Sequence, residues 1–224
     1  MVDVNAQIAA VDRAVRTDEL DGAETRVQTL AQTYPSPIDD VWDAVTSAER
    51  IPRWFMPVSG DLRLGGRYQL EGNAGGEVLE CAPPSEGVGG YRVTWEFGGG
   101  VSWLEISLRS TGDESTRLEL THIARTADVP PGFWELYGPG ATGVGWDGGL
   151  LGLALHLAGS TDLTPETAEA WTFTDEGLAF YRAAADGWAQ AQIEDGGDPE
   201  AARAAADGTF GFYTGQTPVD MPDA

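Results

Sequence analysis

Residues 90–124 read GYRVTWEFGGGVSWLEISLRSTGDESTRLELTHIA, and their pattern indicates the architecture of much of the chain. Apolar and polar side chains alternate over residues 90–97, 101–110 and 115–124, as in strands with one buried and one wetter face. The Gly98-Gly99-Gly100 turn lacks the Gly-Lys-Ser/Thr sequence and the following helix of a phosphate-binding loop. Short turns between successive strands predict an antiparallel meander.

Shorter strand patterns lie on the N-terminal side of this meander. Alternation and Gly or Pro turns predict strands at residues 60–64, 67–72 and 76–82. The loosely alternating, Thr- and Val-containing segment from Arg26 to Tyr34 predicts the first strand of the sheet. Ahead of it, apolar residues at helical spacing over residues 4–16 predict a short amphipathic helix.

Two short helices are expected between the first strand and the rest of the sheet. Ser36-Pro37-Ile38-Asp39 has the features of a helix start, with Ser36 as the cap, Pro37 at the first helical position and Asp39 completing a capping box. Ser47 can cap the second helix.

A longer helix is predicted at residues 143–159, after the meander. Trp146, Leu150, Leu153 and Leu157 recur at helical spacing and form an apolar stripe. Each interior glycine weakens such a helix by about 1 kcal/mol relative to Ala. Glycine is useful where a backbone must approach another surface, so this helix is expected to pack closely.

The C-terminal segment carries three helix starts, Thr164-Pro165-Glu166, Thr174-Asp175-Glu176 and Asp198-Pro199-Glu200. It is rich in aromatic residues, which drive burial and are scarce in disordered acidic tails. We therefore expect residues 164–214 to dock on the core or on a second copy of the chain. Trp103 on the outer sheet face is one landing point, and the first two helices at the cavity mouth are the other. Residues 216–224 are expected to be a frayed tail.

The composition excludes several partners. The 224 residues carry a net charge of −23, with no Lys and 13 Arg. Such a surface repels nucleic acid and anionic membranes. The single Cys81 excludes an internal disulfide and suits a reducing compartment. The N-terminus lacks signal-peptide features, and the longest apolar stretch, residues 148–159, is too short to span a bilayer, so a cytoplasmic location is expected.

Motifs along residues 24–159 resemble those of a known superfamily. In chain order they are Pro37-Ile38-Asp39-Asp40-Val41-Trp42-Asp43-Ala44, Arg53-Trp54-Phe55, Asp61-Leu62-Arg63-Leu64-Gly65-Gly66-Arg67-Tyr68, Gly76-Glu77-Val78-Leu79-Glu80, Val93-Thr94-Trp95, Thr116-Arg117-Leu118-Glu119-Leu120-Thr121-His122, and Gly145-Trp146 with His156-Leu157. This set is similar to the START-like (SRPBCC) superfamily, nearest to bacterial relatives of the activator of heat-shock-protein-ninety ATPase. Leu64 stands where the family typically has Pro.

The resemblance implies an α+β helix-grip fold, in which a curved antiparallel sheet wraps a long C-terminal helix. The expected division is an N-terminal helix at residues 1–23, a helix-grip ligand-binding domain at 24–159, and a helical C-terminal extension at 160–224. The resemblance also places a ligand cavity between the sheet and the long helix.

Strand parity and the resemblance together give the expected cavity residues. They are Trp54, Phe55, Tyr68, Trp95, Leu120, His122, Trp146 and Leu150. A mostly apolar pocket suits a small hydrophobic ligand, bound without catalysis and with a stress-related role as one option. No cofactor is expected, and a homodimer is a further option. The alternatives are a co-chaperone-like protein-binding module and a cyclase- or dehydratase-type enzyme on a polyketide-like substrate.

Only a few polar residues are candidates for chemistry. His122 shares parity with Leu118 and Leu120, so it is expected to face inward, either as a buried neutral His or as a polar anchor for a ligand, and it is the one candidate acid or base. Cys81 is interpreted as a small buried hydrophobe. The remaining polar candidates are expected to be structural: Arg63 and Arg67 in salt bridges, Asp39, Asp40 and Asp43 near a helix start rather than on a metal, and His156 at the surface or at a helix end.

Overall fold

The structure is a computed structural model that describes residues 2–216, so all but the first residue of the predicted frayed tail, 216–224, lies outside the described residues. The strands are β1 (Val11–Leu20), β2 (Ala23–Tyr34), β3 (Val58–Gly60), β4 (Arg67–Leu70), β5 (Gly75–Ser85), β6 (Val88–Phe97), β7 (Gly100–Gly112) and β8 (Ser115–Arg125). The α-helices are α1 (Val4–Ala10), α2 (Ile38–Thr46), α3 (Phe133–Tyr137), α4 (Gly140–Leu157), α5 (Pro165–Thr172), α6 (Asp175–Glu194) and α7 (Pro199–Thr214). Short 3-10 helices lie at Ile51–Arg53 and Thr126–Asp128.

The strands form one eight-stranded antiparallel sheet in the order β1-β2-β8-β7-β6-β5-β4-β3. The predicted meander is confirmed by the pairing of β5 with β6, β6 with β7, and β7 with β8. The long helix α4 packs against the inner face of the sheet, and Leu104, Leu120 and Leu150 belong to one core cluster. The predicted helix-grip fold is therefore confirmed.

The predicted helix over residues 4–16 is wrong in its second half. Helix α1 ends at Ala10, and residues 11–20 form the edge strand β1, which pairs with β2 through the turn at Asp21-Gly22. Val11 and Val15 are four residues apart, and that spacing keeps two side chains on one face in a helix and in a strand alike. The hairpin signal lies in Asp21 and Gly22, which both have the positive φ that a tight hairpin turn requires.

Two local expectations on the N-terminal side also need correction. The strand predicted at residues 60–64 ends at Gly60, because residues 61–66 turn back and Gly65 and Gly66 bond to Val78 of β5. Ser36 does not cap α2, nor does Asp39 complete a capping box. Pro37 takes the cap position without a side-chain hydrogen bond, and the Ser36 hydroxyl instead donates to Asp40 at 2.5 Å.

The three helix starts predicted in the C-terminal segment coincide with the beginnings of α5, α6 and α7. Helix α6 lies against α4, α7, α1 and the edge strand β1. Trp188 and Phe180 of α6 are almost completely buried, with exposures of 0% and 1%. The segment therefore covers the face of α4 that points away from the sheet, whereas the boundaries of the three predicted regions stay a prediction.

Trp103 is not the landing point for these helices. It lies on β7, its indole is covered by the Arg125 guanidinium at 4.7 Å, and the main contacts of α6 and α7 are with α1, α3, α4 and β1. Helix α4 has apolar side chains on the side facing α6 as well as on the side facing the sheet, and the C-terminal helices pack against it there.

Candidate functional site

A cavity of about 130 Å³ lies between the inner face of the sheet and α4. It is bounded by α2, by the segment after α2, by strands β3 to β8, and by α4. Its lining side chains are almost all aliphatic or aromatic, and none of them is charged. Seven of the eight residues expected from the sequence line it: Trp54, Phe55, Tyr68, Trp95, Leu120, Trp146 and Leu150.

One wall of the cavity is a group of aromatic rings centred on Trp146 of α4. The Trp95 indole meets that of Trp146 edge-on at 4.9 Å between centroids, and the Phe55 ring stacks on it at 6.2 Å. Trp54 and Phe55 can approach α4 because Gly149 and Gly152 lie opposite them. A Cβ at Gly152 would overlap the backbone oxygen of Trp54, so this glycine is required for the close approach.

His122 does not line the cavity but lies behind its aromatic wall, with an exposure of 6%. The Trp146 indole N–H donates to its Nδ1 at 3.4 Å, and its Nε2 is 2.8 Å from the Ser102 hydroxyl. Ser102 in turn donates to the Trp95 carbonyl oxygen at 3.3 Å. These three hydrogen bonds form a continuous series from Trp146 to the strand that carries Trp95 if Nε2 carries the imidazole proton. His122 therefore positions the aromatic wall.

This placement decides between the two readings of His122. Burial lowers the pKa of the imidazole to about 4, so it is neutral at physiological pH. Both ring nitrogens have partners within the fold, which leaves none for a ligand. His122 is inward-facing, as its parity predicts, but it is a structural residue beside the cavity rather than an anchor within it.

At the end of the cavity next to α2, the lining is less uniformly apolar. Tyr91 and Cys81 are direct cross-strand partners on β6 and β5, and both line the cavity. Cys81 is half-buried there, not fully buried as the sequence suggested. The sequence reasoning missed Tyr91, although its parity with Val93 and Trp95 could have identified it.

The opposite face of α4 carries a buried ion pair. Arg13 of β1 donates from Nη2 to Asp147 Oδ1 at 2.7 Å and from Nε to Oδ2 at 3.2 Å, and the Trp188 indole donates to Oδ2 at 2.9 Å. The side chains of Arg13 and Asp147 are 7% and 1% exposed. Burial raises the pKa of the Asp147 carboxyl, whereas the Arg13 and Trp188 bonds oppose that shift by favouring its ionised form. The pair joins β1, α4 and α6.

The other polar candidates have structural roles. Arg63 pairs with Asp61 at 2.8 Å and Arg67 with Glu96 at 2.7 Å, as the salt-bridge interpretation predicts. Arg50 bonds to three groups near the end of α4 and the start of α2: Asp40, Asp43 and His156.

Two features are absent from the described residues, 2–216. They contain no group of three His, Cys, Asp or Glu side chains arranged to hold a metal ion. No helix in that part of the chain is both long and apolar enough to cross a membrane.

A sheet wrapped around a long helix, with a cavity between them, defines a helix-grip protein. A family model described as activator of Hsp90 ATPase homolog 1-like protein matches residues 35–148. The chain belongs to this family. A comparison with curated proteins gave no match.

Solved structures agree with this assignment. The crystal structure of CalU16 from Micromonospora echinospora is 32% identical, with a TM-score of 0.61, over 81% of this chain and 98% of that one. The solution structure of CalU16 is 30% identical, with a TM-score of 0.65, over 83% and 97%.

Proposed function

We propose that this protein binds a small hydrophobic molecule in the cavity between the sheet and α4, without transforming it. The observation that supports this proposal is an uncharged lining of aliphatic and aromatic side chains around about 130 Å³ of unfilled space. Protein interiors are normally packed to crystal-like density, so a void of this size in a well-packed domain is a feature to be explained. Apolar cavities of about this volume are dry and take up benzene-sized molecules.

The size of the cavity limits the ligand. Pockets for drug-sized molecules have volumes of about 300–1,000 Å³, so this cavity as it stands suits a single ring with small substituents. A larger ligand requires the segment with Ile51, Trp54 and Phe55 to move away from α4. This segment is a 3-10 turn and loop rather than a sheet strand, so it is the part of the wall that moves most easily.

Toluene, naphthalene and a blank titration test the proposal, with the tryptophan emission of the purified protein as the readout. We expect saturable binding of toluene and weaker binding of naphthalene. Val93→Phe places a ring in the cavity and is expected to weaken toluene binding at least about tenfold, since the added side chain occupies the space of the ligand. Val101→Phe is the matched control, because Val101 is exposed on the next strand.

Two results would contradict ligand binding. One is the absence of any saturable signal with the unaltered protein. The other is binding that Val93→Phe leaves unchanged while the thermal midpoint of the variant stays normal. Native mass spectrometry of gently purified protein would identify a retained natural ligand.

A second candidate function rests on the family description, which refers to the activator of Hsp90 ATPase. In that case the protein would act as a co-chaperone-like module. The test is the ATPase rate of purified Hsp90 with increasing amounts of this protein. A rate that does not change at any concentration would remove this candidate.

The position of His122 does not support the catalytic alternative. It required a general acid or base in the cavity, and His122 lies behind Trp146 with both nitrogens engaged. The homodimer and the cytoplasmic location stay predictions, testable by analytical ultracentrifugation and by cell fractionation.

A further inference from the structure

The end of the cavity next to α2 holds a hydroxyl group that the fold does not use. Tyr91 lines the cavity, and its ring packs edge-on against Trp42 with 6.3 Å between centroids. No residue among the described 2–216 forms a hydrogen bond with the Tyr91 hydroxyl. Tyr91 is half-buried and borders the cavity, so its hydroxyl is available for a hydrogen bond to a molecule that enters the cavity.

The other hydroxyls of the lining differ from Tyr91 in this respect. Tyr68 donates to the Thr94 carbonyl oxygen at 2.7 Å, and Thr46 donates to the Trp42 carbonyl oxygen at 2.7 Å. The neighbouring Cys81 offers only a weak S–H donor. Burial raises the pKa of the Tyr91 phenol, so the group remains an O–H donor over the whole physiological range.

The charge of the lining restricts the ligand further. No Arg, Asp, Glu or His side chain contributes to it, and the chain has no Lys. A carboxylate or phosphate placed there would be buried without a compensating charge, which is strongly unfavourable. The ligand that fits is neutral, mostly aromatic, and able to accept one hydrogen bond at the α2 end.

We propose that the cavity takes a neutral molecule of one aromatic ring whose carbonyl oxygen accepts a hydrogen bond from the Tyr91 hydroxyl. This proposal rests on the proposed function, because it specifies the ligand class of the same cavity. The aromatic ring of the ligand lies among the apolar side chains, and the oxygen points to the pair formed by Tyr91 and Cys81.

Acetophenone and α-methylstyrene test this proposal, because they have nearly the same shape and differ in a carbonyl oxygen against a methylene group. The unaltered protein is expected to bind acetophenone more tightly and to bind benzoate not at all. Tyr91→Phe removes only the hydroxyl, and we expect it to weaken acetophenone binding about fivefold, as for the loss of one neutral hydrogen bond. Its effect on α-methylstyrene is expected to be within a factor of about two.

Tyr68→Phe is the matched control, since it removes a lining hydroxyl that already has a partner. It is expected to leave the ratio of the two affinities unchanged. Infrared spectroscopy of carbon-13-labelled acetophenone gives an independent readout: the bound carbonyl stretch lies at lower wavenumber than in cyclohexane, and Tyr91→Phe abolishes the difference.

The outcomes are distinguishable from failure of the proposed function. If the unaltered protein binds both compounds but Tyr91→Phe changes neither their affinity ratio nor the carbonyl stretch, the role of Tyr91 is wrong and ligand binding stands. An equal loss for both compounds would also overturn the role of Tyr91. If neither compound binds to the unaltered protein, the proposed function fails and this proposal with it.

Discussion

The two faces of α4 are packed differently. On the α6 side, Gly143 is in such close contact with Trp188 that a Cβ there would overlap the indole. On the sheet side, a Cβ at Gly149 would meet only the Phe55 ring, at an ordinary 3.7 Å, and a cavity of about 130 Å³ lies nearby. The α6 side of the helix is therefore tightly packed, whereas the sheet side leaves unfilled space next to the helix.

The largest expected effect comes from removing one tryptophan that packs on each side of α4, Trp188 of α6 or Trp95 of β6. Trp188→Ala is expected to lower the free energy of unfolding by about 3–5 kcal/mol, because it leaves a new void in a filled region. Trp95→Ala is expected to cost about 2 kcal/mol, since Trp95 is half-buried and already borders the cavity. Urea unfolding of both variants measures the difference. Equal losses would show that the two faces are packed alike.

The buried ion pair on the α6 side gives the next effect. Asp147→Asn is expected to lower the free energy of unfolding by about 3 kcal/mol, because it leaves the buried Arg13 charge without its partner. Asp43→Asn is the matched control, since the Asp43 carboxylate pairs with Arg50 at the surface and is expected to contribute about 0.5 kcal/mol. Similar losses for both variants would show that the Arg13–Asp147 pair gains nothing from its buried position.

His122 behind the cavity wall makes stability depend on pH. Its pKa is about 4 in the folded chain against an ordinary 6.5, so between these values the unfolded state binds the proton and the folded state does not. Stability is therefore expected to fall as pH falls through this window, by about 2 kcal/mol between pH 8 and pH 5, from this residue alone.

The carboxylates of the chain titrate in part of the same range, so the comparison requires a variant. The His122→Gln variant keeps an acceptor and a donor that can bond to Trp146 and Ser102, but its side chain does not titrate. Its loss of stability from pH 8 to pH 5 is therefore expected to be smaller than that of the unaltered protein by about 2 kcal/mol. Unfolding midpoints at four pH values give the two slopes. Parallel slopes would mean that the folded protein protonates His122 as easily as the unfolded chain does.

The smallest effects sharpen the comparison on α4 itself. Gly143→Ala is expected to destabilise by about 1–2 kcal/mol, because the added methyl group displaces the Trp188 indole. Gly149→Ala is expected to stabilise by about 0.5–1 kcal/mol, since the helix gains propensity and the methyl group meets no obstacle. Thermal midpoints are sufficient for the test. Changes of the same sign would mean that the two glycines have similar surroundings.

Much of the sheet and of the cavity could be predicted from residues 90–124 and the motifs around them. Alternation puts Trp95 and Leu120 on one face whatever the rest of the chain does, because successive side chains of a strand point to opposite sides. The same rule would have added Tyr91. It could not show that His122 lies outside the cavity, since parity gives the face of the sheet and not what lies in front of it.

The sequence by itself determined the antiparallel meander, the long apolar helix and the helix starts of the C-terminal segment, because these depend on local spacing and on capping and turn residues. The tertiary structure alone decided that residues 11–20 are a strand, since a spacing of four fits both periods and pairing with β2 selects one. It also decided which face of α4 meets α6 and which borders a cavity. Apolar side chains lie on both sides of this helix, so its apolar pattern has no preferred side, and the contacts of Gly143 with Trp188 and of Gly149 with Phe55 distinguish the two faces.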